Sequence, residues 1–238
     1  MKVGLRFLWA FVLSFSCLST VSVAQESTQD KYSENDPWEG FNRSVFNFNE
    51  AVDQAVLKPV AKGYRFVMPD VAEQGVSNFF GNLSDVVTFV NNLLQFKPVE
   101  ATQDLSRVLI NTTIGIGGLF DVASAMNIPK HDEDFGQTLG AWGVDSGPYL
   151  VLPLLGPSSL RDGIGRIPDS YIDPINQVED DDAQLGLILL KVVDTRASFL
   201  DREGVITGDR YSFVRDAYLQ KREFDVNDGQ IKFDADDF

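Results

Sequence analysis

The apolar residues of this chain recur at three- and four-residue intervals in one long segment after another, and nowhere do they alternate over the length of a strand. Phe41, Val45, Phe48, Val52, Val56 and Val60 fall on one face of a helix. Leu83, Val86, Val87, Val90, Leu93 and Leu94 make a second such face, and Ala101, Leu105, Val108 and Leu109 a third. Leu185, Ile188, Leu189, Val192, Val193 and Phe199 make a fourth, after Asp182. Start signals stand where they are needed. Asp36 is placed to cap the first helix, with Pro37 at N1 and Glu39 returning a bond from N3. Asp70 and Glu73 repeat that box after Pro69, Pro98 and Glu100 open another helix, and a last helix is expected over Asp209–Arg222. These signals predict an all-α fold without a sheet.

Two stretches sit awkwardly in an ordinary soluble bundle. Val108–Phe120 runs 13 residues without a charge and contains Gly115-Ile116-Gly117-Gly118, and Ser146–Leu160 runs 15 residues without a charge around Pro148, Pro153 and Pro157. A membrane-spanning helix needs about 20 apolar residues, so neither can cross a bilayer as a helix. One reading is a core helix ending at a glycine turn, followed by a buried loop. The other places several helices in a membrane face, with irregular backbone confined to a protected interior. The 18 Phe and three Trp suit either.

The N-terminus reads as an export signal. Lys2 and Arg6 precede the short apolar run Phe7–Phe15, and Ser22-Val23-Ala24 offers small residues for cleavage before Gln25. The competing form is a lipoprotein signal with Cys17 as the acylated first residue, but Ser14 stands where an aliphatic residue belongs and Leu13 is one place too early. The residues favour a signal peptide over 1–24, a flexible leader over 25–35, a helical domain over 36–229 and an acidic tail over 230–238. Losing Lys2 and Arg6 takes the formal charge from −15 to −17. So acidic a chain lacks the footprint of a nucleic-acid binder.

Signatures of catalysis are mostly absent. Cys17 is the one cysteine and His131 the one histidine, which leaves no His cluster for a metal. Gly156-Pro157-Ser158-Ser159-Leu160 lacks the closing glycine of a nucleophile elbow, and no phosphate-binding P-loop occurs. His131, among Asp132, Glu133 and Asp134, reads as a solvated loop, and Glu179–Asp182 as helix capping. No enzyme activity, metal or cofactor is expected.

The opening Asp36-Pro37-Trp38-Glu39-Gly40-Phe41-Asn42-Arg43, with Phe46-Asn47-Phe48-Asn49, resembles the signature of the VacJ/MlaA family. Ser77-Asn78-Phe79, Gly81-Asn82-Leu83 and Asn111-Thr112 follow, then Gly115–Ala123, Phe135–Gly140 and Gly147–Pro153. Ser159–Asp162, Thr195-Arg196-Ala197 and Arg215–Tyr218 complete an ordered series over 36–229. The resemblance implies a ring-like bundle of amphipathic helices in the inner leaflet of the bacterial outer membrane, removing phospholipid misplaced in the outer leaflet through an amphipathic passage. It implies, as partners, a trimeric porin, a soluble periplasmic lipid carrier and, through that carrier, an inner-membrane ABC transporter. A soluble periplasmic lipid-binding module is the alternative. Within that frame Thr113–Pro129 is a glycine-bearing hairpin gating the passage, with Gly115, Gly117, Gly118 and Phe120 at its turn. The signature turn Gly40, Phe41, Asn42 and Arg43 positions the first helix, and Arg43 and Arg161 contact lipid phosphate or tie helices together.

Cleavage after Ala24 predicts that the exported protein, recovered from isolated outer membranes, has an intact mass beginning at Gln25. A diacyl or triacyl mass beginning at Cys17 would mark the lipoprotein route instead.

Overall fold

A computed structural model describes residues 33–201 and 208–230. Signal peptide, Cys17, most of the leader and all but the first residue of the tail lie outside the described residues. Helix α1 (Glu39–Val52) runs through a π-turn (Asp53–Leu57) into α2 (Lys58–Val67). The π-turn falls where Pro59 has no N–H to give to an i−4 carbonyl, so the widened turn carries the helix past its proline. The long helices α3 (Asp70–Leu94) and α4 (Pro98–Thr113) follow, then α5 (Val122–Ala125) and α6 (Phe135–Ala141). Strands β1 (Tyr149–Leu152) and β2 (Gly156–Ser159) precede α7 (Leu160–Ile172), a 3-10 turn over Pro174–Gln177, α8 (Asp181–Ser198) and α9 (Arg210–Val226).

The fold is overwhelmingly helical, as expected, but the expectation of no sheet needs correction. β1 and β2 pair antiparallel, Tyr149 opposite Ser159 and Leu152 opposite Gly156. Four residues a side are too few for alternation to register, and Pro153 and Pro157 disguise the rest as loop. The outer edge of β1 is covered by side chains rather than by a third strand. Asn42 Nδ2 donates to the Tyr149 carbonyl at 3.0 Å and its Oδ1 accepts from Val151 N–H at 2.9 Å. Two turns along α1, Asn49 repeats the pattern on the Leu152 carbonyl at 3.0 Å and Leu154 N–H at 2.8 Å. The spacing of seven puts both amides on one helical face, and that face closes an edge that would otherwise be open to pairing.

Asp36 also differs from expectation. Its side chain does not cap α1, whose N-cap is Trp38 without a side-chain bond. The Asp36 carboxylate is buried, accepting from Asn42 Nδ2 at 2.8 Å and from the Tyr211 hydroxyl, with Arg215 Nη1 at 3.6 Å. It thereby ties the start of α1 to α9 over a small aromatic core of Tyr149, Val151, Tyr211 and Leu219. Asp70 likewise lies inside α3 rather than capping it, while Asp180 caps α8 through Ala183 N–H and Asp209 caps α9.

Helices α3 and α4 pack antiparallel through polar rungs. Asn82 donates to Thr112 Oγ1 at 3.0 Å, Arg107 to Asp85 at 3.2 Å and Asn92 to Asp104 at 2.7 Å. Asn91 then extends from α3 to Asp169 of α7 at 2.9 Å and accepts from Thr138 of α6 at 2.8 Å. The interior face of α3 is thus a run of Asn, Asp and Thr.

Asn42→Ala leaves a buried carbonyl, a buried N–H and part of Asp36 without partners, so it should cost about 2–4 kcal/mol. Asn47→Ala, on the exposed side of the same helix, should stay within about 0.5 kcal/mol of wild type. Thermal unfolding in detergent compares the two; equal loss would remove Asn42 from the role of edge cover.

Candidate functional site

The glycine hairpin is a tightly closed turn. At the end of α4, Gly117 N–H donates to Thr112 and Gly118 N–H to Asn111, at 2.9 and 2.8 Å, and Phe120 N–H reaches back to Gly115 at 2.9 Å. Ile116, Gly117 and Gly118 all take positive φ, 53°, 68° and 91°. A Cβ on Gly115 would meet the Phe120 carbonyl oxygen at 2.2 Å, and one on Gly118 would meet Asn82 at 2.9 Å. Gly117 instead has open space around it. The turn shows its apolar residues outward: Ile114, Ile116, Leu119 and Phe120 are exposed.

Behind the turn stands Arg107, 1 % exposed. Its Nε donates to Asp85, Nη1 to Ser124 Oγ at 3.1 Å and the Ile128 carbonyl at 2.8 Å, and Nη2 to both oxygens of Asp121 at 3.0 Å. Asn111 braces the same carboxylate at 3.0 Å and accepts from Ala123 N–H at 2.9 Å. Burial alone would raise Asp121, but hydrogen bonds from Ser124, Asn111 and Arg107 hold its carboxyl well below the usual carboxylate range. One guanidinium therefore fixes the hairpin's return path to α3 and α4. His131 belongs to the same region rather than to a solvated loop, with Nδ1 2.8 Å from Asp104.

The two arginines singled out from the sequence are both engaged by protein carboxylates. Arg43 donates to Glu39 at 2.6 Å and to Asp209 at 2.7 and 3.2 Å, and its guanidinium lies 4.3 Å over the Tyr211 ring. It joins α1 to the start of α9. Arg161 is buried, donating to Asp162 at 2.9 Å and to the Val144 carbonyl at 3.3 Å. Residues 40–43 lie in the first turns of α1, and the long-range hydrogen bonds of Asn42 and Arg43 end on β1 and at the start of α9, while Phe41 points outward and Gly40 has open space around it.

Sequence reasoning missed Arg107 outright, and although Asn49, Asp121 and Asp162 fall within the motifs it singled out, it assigned them no role or partner. Asp162 accepts from Arg222 at 2.8 and 3.0 Å and from the Tyr218 hydroxyl at 2.6 Å, and Arg222 also grips Asp134 at 2.6 Å. The one available signal was polar residues at helical spacing, as in Asp104, Arg107 and Asn111, which share the buried face of α4 with Ala101, while Leu105 and Leu109 lie on the exposed face.

The distribution of polarity is inverted. Among the described residues, buried polar and charged side chains number 18 and buried hydrophobic ones ten, while 34 large hydrophobic side chains are exposed. Three of the stripes read as helix faces carry exposed residues, Phe41, Phe48, Val56 and Val60 of the first, Leu105 and Leu109 of α4, and Leu185, Ile188, Leu189 and Val192 of α8, whereas on α3 only Leu93 is exposed and the rest of the stripe is half-buried. In water that much exposed apolar surface is unfavourable. A hydrocarbon surround removes the penalty, and helices suit it because their backbone groups are satisfied internally. Among the described residues no helix is long and apolar enough to cross a membrane. An amphipathic cleft of about 490 Å³ opens between the π-turn, the β-hairpin, α8 and α9. Phe46, Leu57, Leu154, Leu155 and Phe199 line it beside Arg196, which is paired with Asp53, and Arg210, which is paired with Glu50. Among the described residues no cluster of His, Cys, Asp and Glu is suited to a metal ion.

Apolar helix faces turned outward around a hydrogen-bonded polar interior define a helical protein whose outer surface is unusually apolar. The family model described as MlaA lipoprotein matches residues 34–225, and the chain belongs to that family. It is 38% identical over 213 residues to the intermembrane phospholipid transport system lipoprotein MlaA of Escherichia coli, covering 87% of this chain and 84% of that one. The Haemophilus influenzae protein of the same description is 34% identical over 91% of this chain and 89% of its own. A solved structure described as the structural basis for maintenance of bacterial outer membrane lipid asymmetry superposes with a TM-score of 0.72 at 36% identity, covering 81% of this chain and 99% of that one.

Acid titration tests the Asp162 cluster. Burial would raise this carboxyl, but hydrogen bonds and charge from Arg222, with Tyr218 and Arg161, hold it at about 2, against an ordinary 3.8. The stability it lends is complete above the ordinary value and disappears as pH falls through the depressed one, about 2 kcal/mol in all. Asp162→Asn should therefore lower Tm at pH 7 by several degrees, with the gap to wild type closing toward pH 2. A gap independent of pH would show that packing, not charge, sets the cost.

Proposed function

We propose that this chain is the outer-membrane component of a retrograde phospholipid transport system. Embedded from the periplasmic side in the inner leaflet, it removes phospholipid misplaced in the outer leaflet and so maintains lipid asymmetry. The observation that carries the reading is the outward-facing apolar surface around a polar interior. The descriptions of the relatives supply the substrate class: phospholipid, moved between membranes.

In this reading the helices form a ring in one leaflet and enclose an amphipathic passage. Apolar walls such as Phe46, Leu57, Leu154 and Leu155 receive the acyl chains, and the Asp53–Arg196 and Glu50–Arg210 pairs face the headgroup. The 113–129 hairpin gates the passage. Its return limb is pinned by Arg107, so motion is confined to the turn, where Gly117 has room and Gly118 lies close against Asn82. Moving an intact lipid forms and breaks no covalent bond, so the passage requires no nucleophile. The lipid leaves to a soluble periplasmic carrier and onward to an inner-membrane ABC transporter, with a trimeric porin as neighbour in the membrane. Direction comes from those partners or from the lipid gradient. A diacyl or triacyl group on Cys17 would anchor the N-terminus in addition to this attachment.

A soluble lipid-binding module would enclose its apolar surface, whereas α8 displays Leu185, Ile188, Leu189 and Val192. Leu185→Asp with Leu189→Asp should shift the protein out of the membrane fraction and raise outer-leaflet phospholipid. Gly117→Val with Gly118→Val should leave it in the membrane at normal abundance and still raise outer-leaflet phospholipid. Recovery of the wild-type chain in the soluble periplasm would sink the embedded reading. Unchanged outer-leaflet phospholipid in the glycine variant would sink the gate.

A further inference from the structure

The segment from Gln54 to Pro69 carries Lys58, Lys62 and Arg65 and no acid, in a chain with 35 acids and 20 bases. The cations stand four and three residues apart, so α2 presents them as one stripe. Buried Ala61, and Tyr64 bonded to Asp194 at 3.0 Å, mark the side of α2 that packs inward. Val56, Val60, Phe66 and Val67 form a separate outward apolar face, with Phe66 90 % exposed. The stripe lines a shallow concavity of about 380 Å³, closed by Leu200 and Asp201. Arg65 is held at its edge by Asp201 at 2.9 Å and Glu73 at 3.9 Å. Lys62 is exposed and, among the described residues, has no carboxylate within ion-pair distance.

We infer that this stripe receives the phosphate groups of leaflet glycerophospholipids and thereby sets the depth at which α2 lies. One helix about 10 Å across presents an apolar face and a cationic face together, so its occupant must offer hydrocarbon and anion within that distance. The edge of a lipid leaflet does. Lysine and arginine stems lie along apolar surface while their heads reach the headgroup layer, and a helix of this pattern settles in the interface plane. The acids elsewhere on the chain do not oppose this, because exposed charges beyond about 8 Å are largely screened at physiological salt; Asp201 and Glu73 lie within that range and engage Arg65, so Lys62 carries the largest share of the site. The stripe acts locally. It is also distinct from the amphipathic cleft and from the hairpin, so it positions the protein and leaves the passage itself unchanged.

The inference rests on the embedded reading, and vesicle flotation of the full chain separates the two. Wild type is compared with Lys62→Gln and with Lys58→Gln/Lys62→Gln/Arg65→Gln, on phosphatidylethanolamine vesicles with and without phosphatidylglycerol, at low and high salt. Wild type should float with both and prefer the phosphatidylglycerol vesicles at low salt. Each cation near an anionic surface contributes roughly five-fold, so Lys62→Gln should reduce the preference about five-fold and the triple variant should abolish it. Both should keep the salt-insensitive binding to phosphatidylethanolamine that the apolar faces supply. A triple variant that keeps the full preference, or a wild type with none, overturns the headgroup site alone. A wild type that floats with neither vesicle overturns the embedded reading and the site with it. Competition by glycerol phosphate as strong as by vesicles would identify a free-phosphate site and likewise overturn the leaflet assignment.

Discussion

Arg107 is the contact on which the rest of the arrangement depends. Its guanidinium is enclosed and its three nitrogens are directed at α3, at the N-cap of α5 and at the chain leaving that helix. Removing one partner of a buried ion pair costs about 3–5 kcal/mol, because the other charge is left without compensation. Here three segments depend on the same charge. The hairpin's backbone turns through three successive positive φ angles, a conformation that holds only when its surroundings determine it. Arg107 and Asp121 supply that surround, so the residues that look most mobile in the sequence are braced from behind.

The same logic organises the whole interior. A soluble bundle packs leucine against leucine and leaves polar groups to water. This protein packs Asn82 against Thr112, Asn92 against Asp104 and Asn91 against Asp169 and Thr138. Where the outer surface meets hydrocarbon, apolar packing between helices gains little, and close packing and hydrogen bonds hold them together instead. Each polar rung also specifies register, since a one-turn slip of α4 along α3 would strand Asp85, Asp104 and Arg107 together. The aromatic core beneath the β-hairpin is the one place that resembles an ordinary soluble interior, and even there the Asp36 carboxylate lies against Tyr211.

Legibility in the sequence divided along local and non-local lines. Helix faces, the start of α4 at Pro98 and the glycine turn after Thr113 follow from spacing and from glycine and proline chemistry, which act within a few residues. Asp36 misled for a related reason: Asp followed by Pro and then Glu matches a cap locally, yet its partners Tyr211 and Arg215 lie far along the chain. The β-hairpin stayed hidden because four-residue strands carry too little alternation, and because the outer edge of β1 is covered by a pair of asparagines on α1. Asn42 was prominent in the signature, but its spacing to Asn49 has no meaning until β1 lies alongside. Arg43 and Arg161 were legible as important, whereas their partners Asp209, Asp162 and the Val144 carbonyl were not.

By itself the sequence determined that the chain is helical, where α1–α4, α8 and α9 run but not α5–α7, that it is acidic, and which family it resembles. Periodicity sets which residues share a helical face, since that depends on 3.6 residues per turn and on nothing further away. It cannot set which way the face points. An apolar stripe is equally consistent with a core and with a lipid surround, because both offer a low-dielectric medium. Only the tertiary structure decided which faces turn outward, by placing partners from distant segments around Asp85, Asp104, Arg107 and Asp162. Once those polar groups satisfy one another inside, apolar residues of several stripes are left to the outside, which is the observation that the proposed lipid surround accounts for.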